Sequence, residues 1–152
     1  MGPWIWKCFT RGHNIMLMDT LTATYNGVDM VVARRVLGDT QNYAKKINLA
    51  AMTPSDSSYH CSTTYCLRNP GQEYLIYQPN SGAFTVNLAA GTYDYEWFNP
   101  KTGTLVQTGT ITASTGNRSF IPPFSDDALL YLSICGNRDP AAIFGTKDAC
   151  SK

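Results

Sequence analysis

The sequence predicts a mainly β protein, an antiparallel β-sandwich of about seven strands preceded by a helical segment. Three observations support this class. Between Gly71 and Ala113, clusters of Gly, Pro, Asn and Ser separate four apolar or alternating runs. Within these runs, apolar and polar residues alternate with the period of two that is typical of strands. The last apolar run, Ala128 to Cys135, has the near-continuous hydrophobicity of a central strand.

The four runs are predicted to form an antiparallel meander. They are Glu73 to Gln78, Phe84 to Leu88, Thr92 to Phe98 and Thr104 to Ala113. Asn99 to Gly103 supplies a tight turn, because Pro fixes φ and Gly readily adopts the left-handed conformation. Gly109 has no side chain to pack, which indicates a β-bulge in the last of the four strands.

The strand from Thr92 to Phe98 alternates aromatic and acidic residues. Tyr93, Tyr95 and Trp97 share one face, and Asp94 and Glu96 share the other. We expect the acidic face to be solvated and the aromatic row to pack in the core. A sugar-stacking platform or a peptide groove is the alternative role for these aromatics.

The remaining strands of the sandwich flank this region. Thr63 to Leu67 is the predicted opening strand and Arg118 to Ile121 a short later one. In the run that begins at Ala128, Leu129 and Tyr131 face one way, whereas Leu130, Leu132 and Ile134 face the other. Such a strand closes a sandwich core.

The segment before the sheet begins with a predicted helix end and a predicted strand. Trp4 to Phe9 has an apolar pair four residues apart, and Gly12 terminates the helix. The unbroken apolar run Ile15 to Met18 is typical of a strand buried on both faces of a parallel sheet, with a short buried helical turn as the alternative.

Two amphipathic helices are predicted next. The first covers Val28 to Leu37 and is ended by Gly38. Asp39 caps the second, in which apolar residues recur at steps of three and four until Pro54. A buried strand followed by helices needs further parallel strands. The simplest interpretation is therefore the last βα unit of an α/β barrel whose earlier strands are missing.

These elements divide the chain into three parts. Residues 1–54 form the terminal βα fragment, residues 55–136 the β-sandwich and residues 137–152 a tail. Ser55 to Ser58 serves as the linker between the first two parts. The tail shows no hydrophobic pattern, so we expect it to trail across the surface.

Composition excludes some functional classes. Hydrophobic residues make up 43% of the 152 residues and charged residues 15%, which is typical of one globular domain, or of one domain and a fragment of another. A net charge of +1 provides no basic field for nucleic acid. No apolar run approaches the roughly 20 residues needed to span a bilayer. Met1 to Phe9 lacks the pattern of a secretory signal.

The five cysteines cannot all pair within the chain. Cys61 and Cys66 differ by five positions, so within one strand they would point to opposite faces and make poor disulfide partners. Cys135 and Cys150 are the candidate disulfide, since they would pin the tail to the last strand.

Metal and cofactor sites are not expected. His60 beside Cys61, with Cys66 nearby, lacks the four paired ligands of structural zinc. Asp126 and Asp127 adjoin each other, but such a pair in a loop is usually solvated rather than bound to calcium. No phosphate loop or nucleophile motif is present, so we predict no cofactor.

Five segments are distinctive: WIWKCFTRGHNIMLMD, DTQNYAKKINLAAMTP, STTYCLRNPGQEYLIYQP, YDYEWFNPKTG and RSFIPPFSDDALLYL. In this order they resemble the C-terminal portion of apiosidase-like glycoside hydrolases. The resemblance implies the end of a (β/α)8 barrel joined to a C-terminal β-sandwich of the collagen-binding type. It also implies a secreted or periplasmic parent enzyme.

The resemblance places the catalytic carboxylates outside this chain. Retaining glycosidases need two carboxylates about 5 Å apart at strand ends, and no residue here matches those positions. Asp19 would follow the last barrel strand and line the sugar pocket, or else cap a nearby backbone amide. Trp4 and Trp6 would stack on sugar rings if they are exposed, although aromatic residues near a helix end more often pack in a core.

Three functional hypotheses follow. The first is a non-catalytic accessory sandwich that packs on a catalytic barrel, or on a second copy, through Trp4 to Met52. The second is a binding module for polysaccharide or collagen. The third is a small complete hydrolase. It would need an acid pair chosen from Asp19, Asp94, Glu96, Asp126 and Asp127.

Overall fold

The computed structural model describes residues 2–18 and 22–136. Within this part of the chain there are two α-helices and ten strands, which confirms the mainly β class. The helices are α1 (Gly2–Thr10) and α2 (Met30–Lys46), and a short 3-10 turn covers Leu49–Ala51. The strands are β1 (Thr24–Tyr25), β2 (Val28–Asp29), β3 (Thr53–Ser55), β4 (Cys66–Asn69), β5 (Glu73–Gln78), β6 (Phe84–Leu88), β7 (Gly91–Asn99), β8 (Thr104–Ala113), β9 (Gly116–Phe120) and β10 (Ala128–Ile134).

The strands form one large sheet, one small sheet and a short hairpin. The large sheet has six strands in the order β3-β4-β5-β10-β7-β8, and every neighbouring pair is antiparallel. The strands β6 and β9 pair with each other as the small sheet, and β1 pairs with β2. The four strands from β5 to β8 match their predicted positions, but the predicted meander is wrong. The insertion of β10 between β5 and β7 separates them, and β6 belongs to the other sheet.

The central strand β10 divides the interior into two clusters. Leu130 and Leu132 face the small sheet, and Leu129 and Tyr131 face the helices, as their alternation predicted. The molecule therefore has three layers: helices, large sheet and small sheet.

We call the cluster between the two sheets the sandwich core and the cluster under the helices the helix core. The sandwich core contains Cys61, Cys66, Tyr74, Ile76, Phe84, Val86, Leu88, Tyr93, Trp97, Ala113, Phe120, Ala128, Leu130 and Leu132. The helix core contains Ile5, Trp6, Val36, Tyr43, Ile47, Met52, Leu67, Leu75, Tyr77, Phe98, Leu129 and Tyr131. Because the helix core draws on both predicted parts of the chain, the helices pack directly on the sandwich.

The two helices predicted after the first strand are a single helix, α2. Asp29 caps it by accepting hydrogen bonds from the backbone N–H groups of Val31 and Val32. Gly38 does not end it, although glycine in a helix interior costs about 1 kcal/mol relative to alanine. The buried face continues from Val36 to Tyr43 across Gly38, so packing on the large sheet outweighs that cost.

The predicted strand Ile15 to Met18 is also wrong. Residues 13–18 have no regular secondary structure, and the side chains of Met16 and Met18 are 87% and 86% exposed. None of the ten described strands pairs with this run, and a strand buried on both faces would need such pairing for its backbone groups.

Smaller differences occur around the linker and the hairpin. Thr53–Ser55 forms β3, so the predicted linker begins as an edge strand, and the opening strand lies later than predicted, at Cys66–Asn69. The Asn99 to Gly103 turn is confirmed, with a Gly103 N–H bond to the Asn99 carbonyl of 2.8 Å and Gly103 at φ 72°.

The bulge lies between Trp97 and Phe98 rather than at Gly109. The residue opposite Gly109 is Tyr95, and a Cβ at Gly109 would lie 2.7 Å from the Tyr95 hydroxyl oxygen. The absent side chain therefore gives room to the tyrosine ring. Neither described helix is long and apolar enough to cross a membrane.

Candidate functional site

An open groove of about 790 Å³ lies where the N-terminal segment meets the large sheet. Its walls come from the end of α1, the 13–15 segment, one face of α2, and the chain around β3 and β4. The lining residues are Phe9, Gly12, His13, Asn14, Ile15, Arg34, Leu37, Gly38, Thr40, Gln41, Ala44, Leu49, Met52, Pro54 and Leu67. Eight of these fifteen residues are apolar and five are polar, so the groove is a mixed surface on which polar groups could orient a partner.

The end of α1 fixes one wall of this groove. The N–H of His13 donates to the Cys8 carbonyl at 3.0 Å, and the N–H of Gly12 donates to the Phe9 carbonyl at 2.9 Å. This pair of bonds is the Schellman motif, with Gly12 at φ 74° as sequence analysis predicted. A Cβ at Gly12 would lie 3.0 Å from the Pro54 ring, so the glycine also permits the close approach of β3.

The face of α2 forms the opposite wall. Arg34, Leu37, Gln41 and Ala44 recur at steps of three and four and all line the groove. Sequence analysis missed these residues because it ended the helix at Gly38. The signal that could have found them is this spacing, which continues through the glycine. Arg34 also donates hydrogen bonds to the Thr22 carbonyl, which ties the helix to the preceding loop.

The groove has no carboxylate among the described residues that line it. A glycosidase needs two carboxylates across its cleft, one of them a proton donor. The described part of the groove therefore provides a concave surface with apolar side chains and hydrogen-bond donors, but it lacks the carboxylate pair of a glycosidase.

The residues predicted to contact sugar are dispersed. Trp4 lies on α1 with 51% of its surface exposed, whereas Trp6 is fully buried in the helix core. Neither lines the groove. Asp19 lies outside the described residues. Sugar binding by Asp19, Trp4 and Trp6 therefore stays a prediction.

Trp6 is the centre of an aromatic cluster that holds α1 on the sheet. Its ring lies edge-on to Tyr43, stacks on Tyr77 and packs near Phe98, with centroid distances of 5.7, 6.4 and 6.0 Å. This position corresponds to the packing role that the sequence favoured for Trp6 over sugar stacking.

The face of β7 that was expected to be solvated is buried under α2. Glu96 is only 1% exposed, and Asp94 is also buried. Lys46 of α2 forms a salt bridge with Glu96, and the Tyr43 hydroxyl donates to the same carboxylate at 2.8 Å. The solvated acidic face was a wrong expectation, because the alternation pattern does not reveal that a helix supplies a cation there.

The buried environment changes the pKa of the Tyr43 hydroxyl. Burial, and then the adjacent Glu96 carboxylate, raise the pKa of the Tyr43 hydroxyl well above its usual value of 10. The Lys46 ammonium also lies 5.5 Å from the Tyr43 ring and 5.1 Å from the Tyr131 ring. Lysine, carboxylate and two aromatic rings thus form one buried network.

A second buried carboxylate, Glu73, lies on β5. The hydroxyl of Tyr131 donates to it at 2.7 Å, and the Asn48 backbone N–H donates at 2.9 Å. Burial, followed by Glu73, raises the pKa of Tyr131. The Glu73 carboxylate therefore holds the end of α2 on the sheet by hydrogen bonds.

Three more of the acids named for a small hydrolase, Asp94, Asp126 and Asp127, also have structural partners. The Asp94 carboxylate accepts a hydrogen bond from the Thr110 hydroxyl at 3.0 Å. Asp126 pairs with Lys101 at 2.8 Å, and Asp127 accepts from the Tyr77 hydroxyl at 2.8 Å. None of these acids lines the groove.

Two further predictions concern cysteines and metals. Cys135 follows β10, but its expected disulfide partner Cys150 lies outside the described residues, so that pairing stays a prediction. Within residues 2–18 and 22–136, no three His, Cys, Asp or Glu side chains cluster as metal ligands.

The family that this chain matches concerns the sandwich. The model of the family described as "Putative collagen-binding domain of a collagenase" matches residues 55–132, slightly more than half of the chain. Comparison with the curated proteins gives no match.

Two solved structures align with this chain at low similarity. One is a glycoside hydrolase family 5 protein from Bacteroides vulgatus ATCC 8482, with a TM-score of 0.44 and 11% identity, covering 76% of this chain and 28% of that one. The other is described as a glycoside hydrolase, with a TM-score of 0.42 and 10% identity, covering 80% of this chain and 31% of that one. This chain thus spans less than a third of the length of either protein.

Proposed function

The chain belongs to the collagen-binding-domain family that matches residues 55–132, and from this premise we propose that it is a non-catalytic accessory region of a glycoside hydrolase. In this role the sandwich and its helices pack against a catalytic barrel and stabilise it. The family is described as one domain of an enzyme, which supports an accessory role beside a catalytic domain.

The observation that carries the proposal is where the exposed apolar side chains lie. Of the ten large hydrophobic residues exposed in the described part of the chain, seven precede the family match. They are Trp4, Met16, Met18, Tyr25, Val31, Val32 and Leu49. Exposed apolar surface of this kind is typical of a surface that meets another protein.

The groove gives this surface a shape into which a partner can pack. Ile15 and Leu49 line it, and Met16 follows directly along the chain. Its polar members, among them His13 and Gln41, can donate hydrogen bonds to a partner. An apolar surface with a few polar groups is typical of contacts between domains.

The finer proposal is that the partner is the barrel of an apiosidase-like enzyme. It rests on the resemblance of WIWKCFTRGHNIMLMD and the four later segments to the C-terminal portion of that family. In this proposal the two catalytic carboxylates belong to the barrel, while Asp19 and Trp4 border its sugar pocket. The buried, partnered state of Glu96 and Glu73 agrees with a supporting rather than a catalytic sheet.

The test uses the full chain with the catalytic barrel of an apiosidase-like glycoside hydrolase as the probe. Isothermal titration calorimetry should detect binding, and Met16→Asp with Met18→Asp should weaken it at least about tenfold. Ile121→Asp, at a residue exposed on the sandwich, is the matched control and should bind as the wild type does.

Three results would contradict the proposal. The first is no detectable binding to the barrel, and the second is equal affinity of the wild type and the methionine variant. The third is steady hydrolysis of aryl glycosides by the purified chain. Light scattering run alongside distinguishes a second copy of the chain as the occupant of the surface, since a dimer would form without the barrel.

A second candidate function is a binding module for polysaccharide or collagen. The family description favours it, and so does the exposure of the aromatic residues Trp4, Tyr25 and Tyr59. Affinity electrophoresis in gels that contain plant polysaccharide, and binding to triple-helical collagen peptides, would test it. Retardation that is lost in Trp4→Ala or Tyr59→Ala would support this function over the first.

A further inference from the structure

The thiols of Cys61 and Cys66 meet inside the sandwich core. Both are free in the structure, both are almost completely buried, and both belong to the same hydrophobic cluster. We propose that these two thiols oxidise to an intrachain disulfide that connects the two sheets of the sandwich.

The backbone brings the two cysteines together from different sheets. Cys61 forms a bridge with Val86 of β6, and the neighbouring Ser62 N–H donates to the Thr85 carbonyl at 2.9 Å. Cys66, by contrast, begins β4 and is paired with Ile76 of β5 in the large sheet. A Cys61–Cys66 bond would therefore link the small sheet to the large one across the core.

A tight turn makes this approach feasible. The Thr64 N–H donates to the Cys61 carbonyl at 3.1 Å, and Thr64 has a φ of 61°. The expectation that the two side chains point to opposite faces assumed one continuous strand. It was wrong because Cys61 lies outside β4, on the far side of this turn.

The surroundings favour the thiolate of Cys61 as the nucleophile. Hydrogen bonding from Cys66, together with the Thr63 hydroxyl at 3.5 Å and the backbone N–H groups of Thr64 and Tyr65, lowers the pKa of Cys61 to about 7 despite its burial. The Cys66 thiol keeps its proton, because its hydrogen bond to Cys61 and burial raise its pKa. The Cys61 thiolate is therefore the nucleophile of the first exchange step, and Cys66 reacts in the second step.

The oxidant in this proposal is a small-molecule disulfide such as glutathione disulfide. The Cys61 thiolate attacks one of its sulfur atoms, forms a mixed disulfide and releases the first reduced thiolate. Cys66 loses its proton, attacks the Cys61 sulfur and expels the second reduced thiolate. The protein gives up two protons and two electrons, and the small disulfide is reduced to two thiols. Because both cysteines are buried in the closed core, we place the reaction late in folding, when the turn from Cys61 to Cys66 has formed but the core still admits the small disulfide.

The tryptic map of the chain offers a direct test. Cleavage after Lys46 and Arg68 gives a peptide of residues 47–68 that contains both Cys61 and Cys66, while the other three cysteines fall in other peptides. The full chain is refolded in a glutathione redox buffer, denatured and alkylated with iodoacetamide, with and without prior reduction. We expect no label on this peptide before reduction and two labels after it. Two labels without reduction would overturn the proposal.

Thermal melts provide a second readout. Reductant should lower the Tm of the oxidised wild type and of Cys8→Ala by about 5 to 10 °C. In the double variant Cys61→Ala/Cys66→Ala, reductant should no longer cause this fall in Tm. Subtracting the Tm change of the double variant from that of the wild type removes any contribution from another disulfide. An equal shift in the double variant would contradict a structural disulfide at this place. If that variant does not fold, the peptide map of the wild type still decides.

Discussion

The two faces of β10 are covered in different ways. The sandwich core, on the small-sheet side, is built almost entirely from apolar and aromatic side chains. The helix core has an aromatic centre, and beside it lie the buried carboxylates Glu73, Asp94 and Glu96, on the strand faces that α2 covers. The sandwich face is therefore held mainly by apolar burial, and the helix face by burial combined with charge pairing.

This difference follows from what covers each face. Antiparallel sheets that pack on each other satisfy their backbone groups within the sheets, so their facing side chains can all be apolar. A helix can lie on a sheet in several orientations, and specific polar partners restrict them. In the observed placement of α2, Lys46 reaches Glu96 and the Asn48 N–H reaches Glu73 at the same time. We infer that the polar groups of the helix core fix the position of the helices rather than supply most of their stability.

The largest effect is expected from breaking the charge pair of the helix core. Lys46→Met would leave the Glu96 carboxylate, only 1% exposed, buried without its cation. Such a change typically costs about 3–5 kcal/mol in the free energy of unfolding, measured by urea denaturation. Lys101→Met is the matched control, because the side chain of Lys101 is 68% exposed in its pair with Asp126. There we expect a much smaller loss, because solvent screens an exposed pair.

The double variant Lys46→Met/Glu96→Gln sharpens this test. If the pair mainly fixes orientation, the second change should recover part of the loss, since no charge is then left buried. A Lys46→Met protein as stable as the wild type would show that Glu96 gains its stabilisation elsewhere.

A smaller effect is expected at alkaline pH. The pKa values of Tyr43 and Tyr131 are raised, by burial first and by the adjacent carboxylates Glu96 and Glu73 second. Below the unfolded pKa near 10 both states keep these protons, and the stabilisation is fully present. As the pH rises further, the unfolded chain loses protons that the folded chain retains. Each tyrosine then lowers stability by about 1.4 kcal/mol per pH unit.

Urea denaturation at several pH values between 9 and 11 measures this slope. Tyr43→Phe and Tyr131→Phe should each reduce it by the contribution of one proton. Tyr59→Phe, at an exposed position, is the matched control and should leave it unchanged. A slope that is the same in all four proteins would mean that the buried hydroxyl groups ionise as easily as in the unfolded chain.

The sequence was sufficient to predict the sandwich strands because their patterns are local. The alternation from Phe84 to Leu88 and the two faces of β10 depend only on neighbours along the chain, and both are found as predicted. Strand pairing depends on residues far apart in the chain. The insertion of β10 between β5 and β7 therefore could not be predicted from the sequences of the strands themselves.

The helical layer and the site were harder to predict for physical reasons. Gly38 has the residue type of a helix end, yet tertiary packing carries α2 through it. Glu96 has the residue type of a solvated position, yet it is paired with a lysine fifty positions away. The α2 wall of the groove continues through Gly38, which explains why this wall was not predicted.

The smallest effect on stability is expected at the outer surface of the N-terminal segment. Met16→Asp changes a side chain that is 87% exposed, so the free energy of unfolding should change by less than about 0.5 kcal/mol. Ile5→Asp, at a fully buried position in the helix core, is the matched contrast and should cost several times more, because it buries an unpaired charge. Urea midpoints of the two variants measure both quantities. A loss above about 1 kcal/mol in Met16→Asp would mean that this methionine packs on the chain itself, and the segment would then lose its role as a surface for a catalytic barrel.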